Sequence, residues 1–303
     1  MSVNSSSSFP PSNSSSISLY HFLQNCYTSP SGASSIIAFT ICNVLLVLPP
    51  CVYVIFLGLK RRRSGTAASP SDVFTYHMVA IELMSIVGCL LCSCGALARL
   101  PDMLVGMVFF AVHVCGQQLF HTLTCVERYL AVVHPVTYLG LRSQKWIRVR
   151  KVSIGCVWML SFANTFSLFL EENGSNFIFH YCALAFILIV VSFCSLSVLC
   201  VLIGPGPGAR GGEGRRRVDR SKMRTFYTIT VIMGVLLLRA TGTAVISAVY
   251  TSGHVGGLEK CTTWLSLAWF GLPSSLVLPL LFLHRAGKRL CCENIGTSEA
   301  ASH

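Results

Sequence analysis

FHTLTCVERYLAVVHPVTYLGLR, residues 120–142, closes a long apolar run with two adjacent charges, Glu127 and Arg128. The run begins at Met103 and ends at His134, 32 residues in all. As a helix rising roughly 1.5 Å per residue it would be about 48 Å long. The hydrocarbon core of a bilayer is only about 30 Å thick, so such a helix must tilt or protrude. Near its end an Arg meets water at far lower cost than at mid-membrane. Arg128 therefore snorkels to the surface, pairs with Glu127, or faces a crevice between helices.

Runs of similar character occupy residues 34–59, 72–97, 148–170, 177–203, 223–250 and 261–284, which makes seven with 103–134. The whole chain of 303 residues is 53% apolar and only 11% charged. An ordinary soluble domain carries about 25% charged residues, so this chain folds in lipid. The expected fold class is an all-α membrane protein, a seven-transmembrane helix bundle with a short amphipathic eighth helix. Its divisions are a disordered Ser-rich extracellular tail (1–33), the bundle (34–285) and a short cytoplasmic tail (286–303). No inverted repeat of the transporter kind is visible.

Positive charge sets the direction of threading, because short cytoplasmic loops are enriched in Lys and Arg. Nineteen of the 23 basic residues follow the first, third, fifth and seventh runs: Lys60–Arg63, then residues 142–151, 210–224 and 285–289. That puts the N-terminus outside and leaves only Arg99 and Lys260 on the outer side, with Arg128 and Arg239 in or near the membrane. The net charge of +12 is thus a topological signal whose natural counterion is anionic inner-leaflet lipid. Scattered over four loops, it does not describe a nucleic-acid surface. The sequons at Asn4, Asn13 and Asn173 are glycosylation candidates on the outer side. No cleaved signal peptide is expected, the first crossing serving as the targeting signal.

Most of the 15 cysteines lie inside apolar runs, where Cys packs as a small apolar side chain. Cys26 and Cys261 are the external pair, and a bridge between them would draw the tail over the mouth of the bundle. Cys291 and Cys292, beside Lys288 and Arg289, stand where palmitoylation would pin a helix to the inner leaflet. Residues 204–220, GPGPGARGGEGRRRVDR, form a flexible basic loop between the fifth and sixth runs.

Glu127-Arg128-Tyr129, with Pro135 seven residues after the Arg and Tyr138 beyond, resembles the Asp/Glu-Arg-Tyr motif and second intracellular loop of rhodopsin-like (class A) G-protein-coupled receptors. The resemblance implies that Glu127 holds Arg128 at rest and that Arg128, once released, contacts a heterotrimeric G protein. Asn43 matches the family's first-helix Asn and Trp158 its fourth-helix Trp. Glu82 stands where the family has a mid-membrane Asp that helps to hold sodium, and Gln117 where it often has a Ser, so Glu82 and Gln117 are weak sodium-site candidates. No other metal and no cofactor is implied. In LVLPLLF the kinking Pro279 is kept, while Leu278 and Phe282 replace the family's Asn and Tyr. The sixth run lacks the Cys-Trp-x-Pro switch, and the fifth lacks its proline. Met103 stands where a disulfide Cys would be, which leaves Cys182 without its family partner.

Two charges deep in the apolar runs call for interior partners. A carboxyl at Glu82 is costly unless paired, hydrated or protonated. Arg239, near the middle of the sixth run, either contacts Glu82 through water, binds an anion at the floor of a ligand cavity, or snorkels toward a surface. Phe110, His113 and Arg239 are the ligand-cavity candidates. The outer half of the third run has no acid to hold a protonated amine. Neither His-Glu-x-x-His nor paired Cys-x-x-Cys spacing occurs, and no phosphate-cradling loop, so no enzyme is expected. The resemblance implies a plasma-membrane receptor that transduces an extracellular ligand, not identifiable from sequence, to a heterotrimeric G protein. The alternatives are a non-signalling atypical receptor, scavenging a ligand or partnering another receptor, and a membrane transporter.

Overall fold

The computed structural model describes residues 19–65, 70–98, 103–136, 144–170, 175–203, 213–251 and 257–300, with side chains described over most of these as far as His284. Among the described residues the chain is helical and contains no strand. The helices are α1 (Leu19–Thr28), α2 (Pro30–Leu46), α3 (Leu48–Arg63), α4 (Pro70–Ala98), α5 (Leu104–Val133), α6 (Gln144–Leu170), α7 (Ser175–Ile203), α8 (Glu213–Thr251) and α9 (Gly257–Ala300).

Six stretches are long and apolar enough to cross a membrane among the described residues: Pro30–Arg63, Asp72–Ala98, Leu104–Val133, Cys182–Val201, Phe226–Ile246 and Cys261–His284. This is the make-up of a multi-pass membrane protein. Each coincides with one of the apolar runs read from sequence. The remaining run lies in α6, whose 27 residues open on Lys145, Arg148, Arg150 and Lys151.

Local chemistry explains the helix ends and bends. Ser29 caps α2 by accepting a hydrogen bond from the Gly32 amide at 3.1 Å, and Pro30 fills the first helical position, where no N–H is needed. Between α2 and α3 the helix is interrupted at Val47, because Pro49 and Pro50 remove two amides and crowd the carbonyls four residues back. At the far end of α3, Gly65 adopts φ +70°, the left-handed cap that glycine accepts without strain. The basic group Lys60–Arg63 lies in that last turn, favourably placed on the negative end of the helix dipole. Past His284, α9 continues unbroken to Ala300, so the expected eighth helix is not a separate element. Residues 285–300 contain no proline, and neither Gly287 nor Gly296 breaks the helix.

α5 is the central helix, touching α4, α6, α7, α8 and α9. Its contact with α4 is the closest: a Cβ added to Gly88 would lie 2.8 Å from the Gly106 carbonyl oxygen, and one added to Gly106 2.9 Å from that of Gly88. Two facing glycines let the backbones approach as no larger residues would. α8 packs between α7 and α9, while α2 and α3 close the other side against α4 and α9. The main apolar core gathers around Phe120, with Met78 and Ile81 of α4, Val191 of α7, Ile232 of α8 and Leu278 of α9. Outward-facing side chains such as Met159, Phe166, Phe186 and Leu196 remain exposed on the single chain, as suits a surface bathed in lipid.

Candidate functional site

The Gly88–Gly106 contact determines what happens two turns further in. α4 and α5 are antiparallel, so stepping back six residues from Gly88 and forward seven from Gly106 brings Glu82 and His113 to the same level. His113 Nε2 donates to Glu82 Oε2 at 3.1 Å, and both side chains are buried. An ionised Glu82 can only accept, so with it the ring hydrogen is on Nε2. One turn along α5, Gln117 Nε2 donates to Glu82 Oε1 at 2.9 Å and to Ser275 Oγ of α9 at 2.8 Å. Gln117 Oε1 in turn accepts from Arg239 Nη1 of α8.

Arg239 is 6% exposed and Glu82 fully buried, so the two charges that sequence placed inside the bundle both lie there. They meet through the Gln117 amide, a side-chain link where the sequence offered water, an anion or snorkelling. The guanidinium can only donate, so Gln117 must present its oxygen to Arg239 and its NH2 to Glu82. A single amide therefore carries the attraction between a cation and an anion on different helices. Gly271 of α9 makes room for the cation: a Cβ there would sit 3.4 Å from Arg239 Nη1.

A second layer lies one turn further along α5. His121 Nε2 donates to the Ser274 carbonyl at 3.2 Å, and Ser274 Oγ stands 3.0 Å from the same nitrogen. His121, Ser274 and Ser275 escaped the sequence reading. Their signal was present: His113, Gln117 and His121 recur at four-residue spacing, which sets them on one helical stripe, and Ser274 and Ser275 lie three and four residues past Gly271. Histidines and serines inside an apolar run read as packing until their partners are known.

Phe110 joins this region from the end covered by α1, with its ring 5.9 Å from that of His113 and 6.1 Å from Phe39. Phe39 also meets Trp269 edge-on at 5.4 Å. Above them α1 lies against α2, α4 and α9, secured by the disulfide between Cys26 and Cys261, whose Cα atoms are 5.3 Å apart. Burial where α1 meets the bundle pushes the Tyr27 hydroxyl well above its ordinary pKa. Phe110, His113 and Arg239 are thus brought into one region, but His113 and Arg239 spend hydrogen bonds on Glu82 and Gln117.

At the opposite end of α5, Glu127 is buried and Arg128 half-buried. Tyr129 extends the motif toward α7: its hydroxyl lies 3.2 Å from His134 Nε2 and its ring 5.8 Å from Phe193. On the same face of the bundle Arg61 of α3 pairs with Asp72 of α4 at 3.2 Å and lies 5.3 Å over the Phe282 ring of α9. Phe282 also packs on Tyr76 at 6.0 Å, and Leu278 belongs to the main core. Both positions are therefore filled by apolar packing.

Of the remaining expected residues, Asn43 is buried, with no partner for its side-chain oxygen among the described residues. Trp158 donates to His77 Nδ1 at 3.3 Å and meets Phe120 edge-on at 6.3 Å. Pro279 lies within α9, and Cys182 is a free, exposed thiol. Asn4, Asn13, Asn173 and Tyr138 lie outside the described residues, as do the side chains of Cys291 and Cys292. No protein-family model matches the chain, and comparison with curated proteins finds no match either.

Proposed function

We propose that the chain is a seven-helix receptor of the rhodopsin-like kind in the plasma membrane, with its N-terminus outside, transducing an extracellular ligand to a heterotrimeric G protein. α6 completes the bundle as the remaining span in this reading. One observation carries it: Glu127-Arg128-Tyr129 ends the most central helix, at the face where α3 closes on Lys60–Arg63 and α6 opens on Lys145–Lys151. An acid and an arginine at the inner mouth of a bundle, beside basic helix ends, suit an intracellular partner that inserts between the helices.

Signalling would proceed by outward movement of α8, a two-state change biased by a ligand with different affinity for each state. α8 is held to α5 by the Arg239–Gln117 hydrogen bond, the contact such a movement would have to break. The test is a G-protein activation assay in membranes from cells expressing the chain. Basal or ligand-driven activation that Arg128→Ala abolishes at equal surface expression upholds the reading. A second reading, an atypical receptor that binds ligand without coupling, is favoured by the buried, apolar Leu278 and Phe282. Normal surface expression with no activation of any G-protein class would select it, whereas substrate flux in proteoliposomes would replace both readings with transport.

A further inference from the structure

A carboxylate buried at mid-membrane must be neutralised by a bound cation, a proton or a fixed positive side chain. By resemblance to the receptor family, Glu82 and Gln117 are candidates to hold sodium, a hard monovalent cation. Hard cations are held by oxygen ligands. Around Glu82 the groups point the other way: Oε2 takes the His113 N–H and Oε1 takes the Gln117 NH2. Gln117 turns its nitrogen toward the carboxylate because its oxygen is claimed by Arg239. The same nitrogen donates to Ser275 Oγ, so an ion approaching Oε1 meets N–H hydrogens. The donor set does not fit sodium.

We propose that Arg239 is the built-in counter-cation of Glu82, acting through the Gln117 amide, and that this carboxylate consequently takes no soluble cation. The polarity of the Gln117 amide is the switch. With Arg239 in place, the amide shows its NH2 to Glu82. With Arg239 removed, nothing holds the oxygen toward α8, and the amide can turn over. Glu82 Oε1, Gln117 Oε1 and Ser275 Oγ would then converge as an all-oxygen set drawn from α4, α5 and α9. Losing the arginine should therefore create a sodium site in a protein that lacks one. The inference concerns the neutralisation of one carboxylate and holds whether or not the chain couples to a G protein.

The experiment is thermal unfolding of the purified full chain in detergent, with NaCl replaced stepwise by N-methyl-D-glucamine chloride at a constant ionic strength of about 0.15 M. The Tm of the natural protein should be indifferent to the exchange. For Arg239→Met, Tm should rise saturably with sodium, by about 2 °C or more, and the rise should vanish in Glu82→Gln/Arg239→Met. A saturable sodium-dependent rise in the natural protein that Glu82→Gln removes would overturn the proposal. So would an Arg239→Met protein that folds and ignores sodium. Should Arg239→Met give no folded protein in either salt, the double variant decides: recovery of folded protein upholds the pairing, and failure to recover rejects it.

Discussion

Two acid–arginine pairs in this bundle are built in opposite ways. At the basic face, Arg61 and Asp72 touch directly at 3.2 Å; Asp72 is buried, while the Arg61 side chain remains 24% exposed. At mid-bundle, Glu82 and Arg239 meet only through Gln117, and both are buried. The direct pair is short and its cation reaches the surface; the indirect pair is long and both its charges are enclosed by protein. Contact distance is therefore a poor guide to what a pair contributes. What counts is the cost of stranding a charge when its partner is lost.

Four substitutions probe that contrast, from the largest effect to the smallest. Gln117→Leu removes the amide between the buried charges, strands Arg239 and leaves Glu82 with His113, and breaking a buried pair typically costs about 3–5 kcal/mol. Little folded protein should be recovered, read as the monodisperse fraction after detergent extraction. A Gln117→Leu protein as stable as the natural one would show that the relay is not needed. Cys26→Ser/Cys261→Ser opens a covalent link between residues far apart in sequence, worth about 2–4 kcal/mol, and should lower Tm without touching either pair. Reducing agent should lower the Tm of the natural protein to a similar degree and leave that of the variant unmoved.

Gly106→Val would push α4 and α5 apart where a Cβ has no room, at a cost of about 1–3 kcal/mol for overpacking. Because that contact aligns Glu82 with His113, the destabilisation should be smaller in a His113→Ala background than in the natural one. Additive losses would mean that the glycine contact and the polar layer are independent. Asp72→Asn should change Tm least, since the Arg61 it leaves is partly exposed and ion pairs that reach solvent contribute about 0–1 kcal/mol. A loss as large as that of Gln117→Leu would overturn the comparison between the two faces.

The same contrast runs through what the chain declares in advance. Apolar runs are a local property, visible in any window of about 20 residues, so the six stretches long and apolar enough to cross a membrane were legible, though α8 begins at Glu213, inside the expected loop. The α6 run was legible in the same way, since residues 152–169 carry no charged side chain. Isolated charges in apolar surroundings were equally conspicuous, and Glu82 and Arg239 stood out for that reason. His121, Ser274 and Ser275 did not. Each is polar but uncharged and fits an apolar run, and only a partner about 150 residues away shows what it does. The continuation of α9 past His284 went unread because a sequence without proline does not say whether a helix stops or runs on.

By itself, then, the sequence determined the solvent in which this protein folds, the sites of its apolar helices and the two charges that had to be reconciled inside them. These follow from composition and spacing along one segment. Tertiary structure alone decided that Gln117 stands between the charges and which way its amide points. Gln117 is bonded to α4, α8 and α9 at once, and a side chain that can either donate or accept takes its orientation from neighbours that only packing supplies.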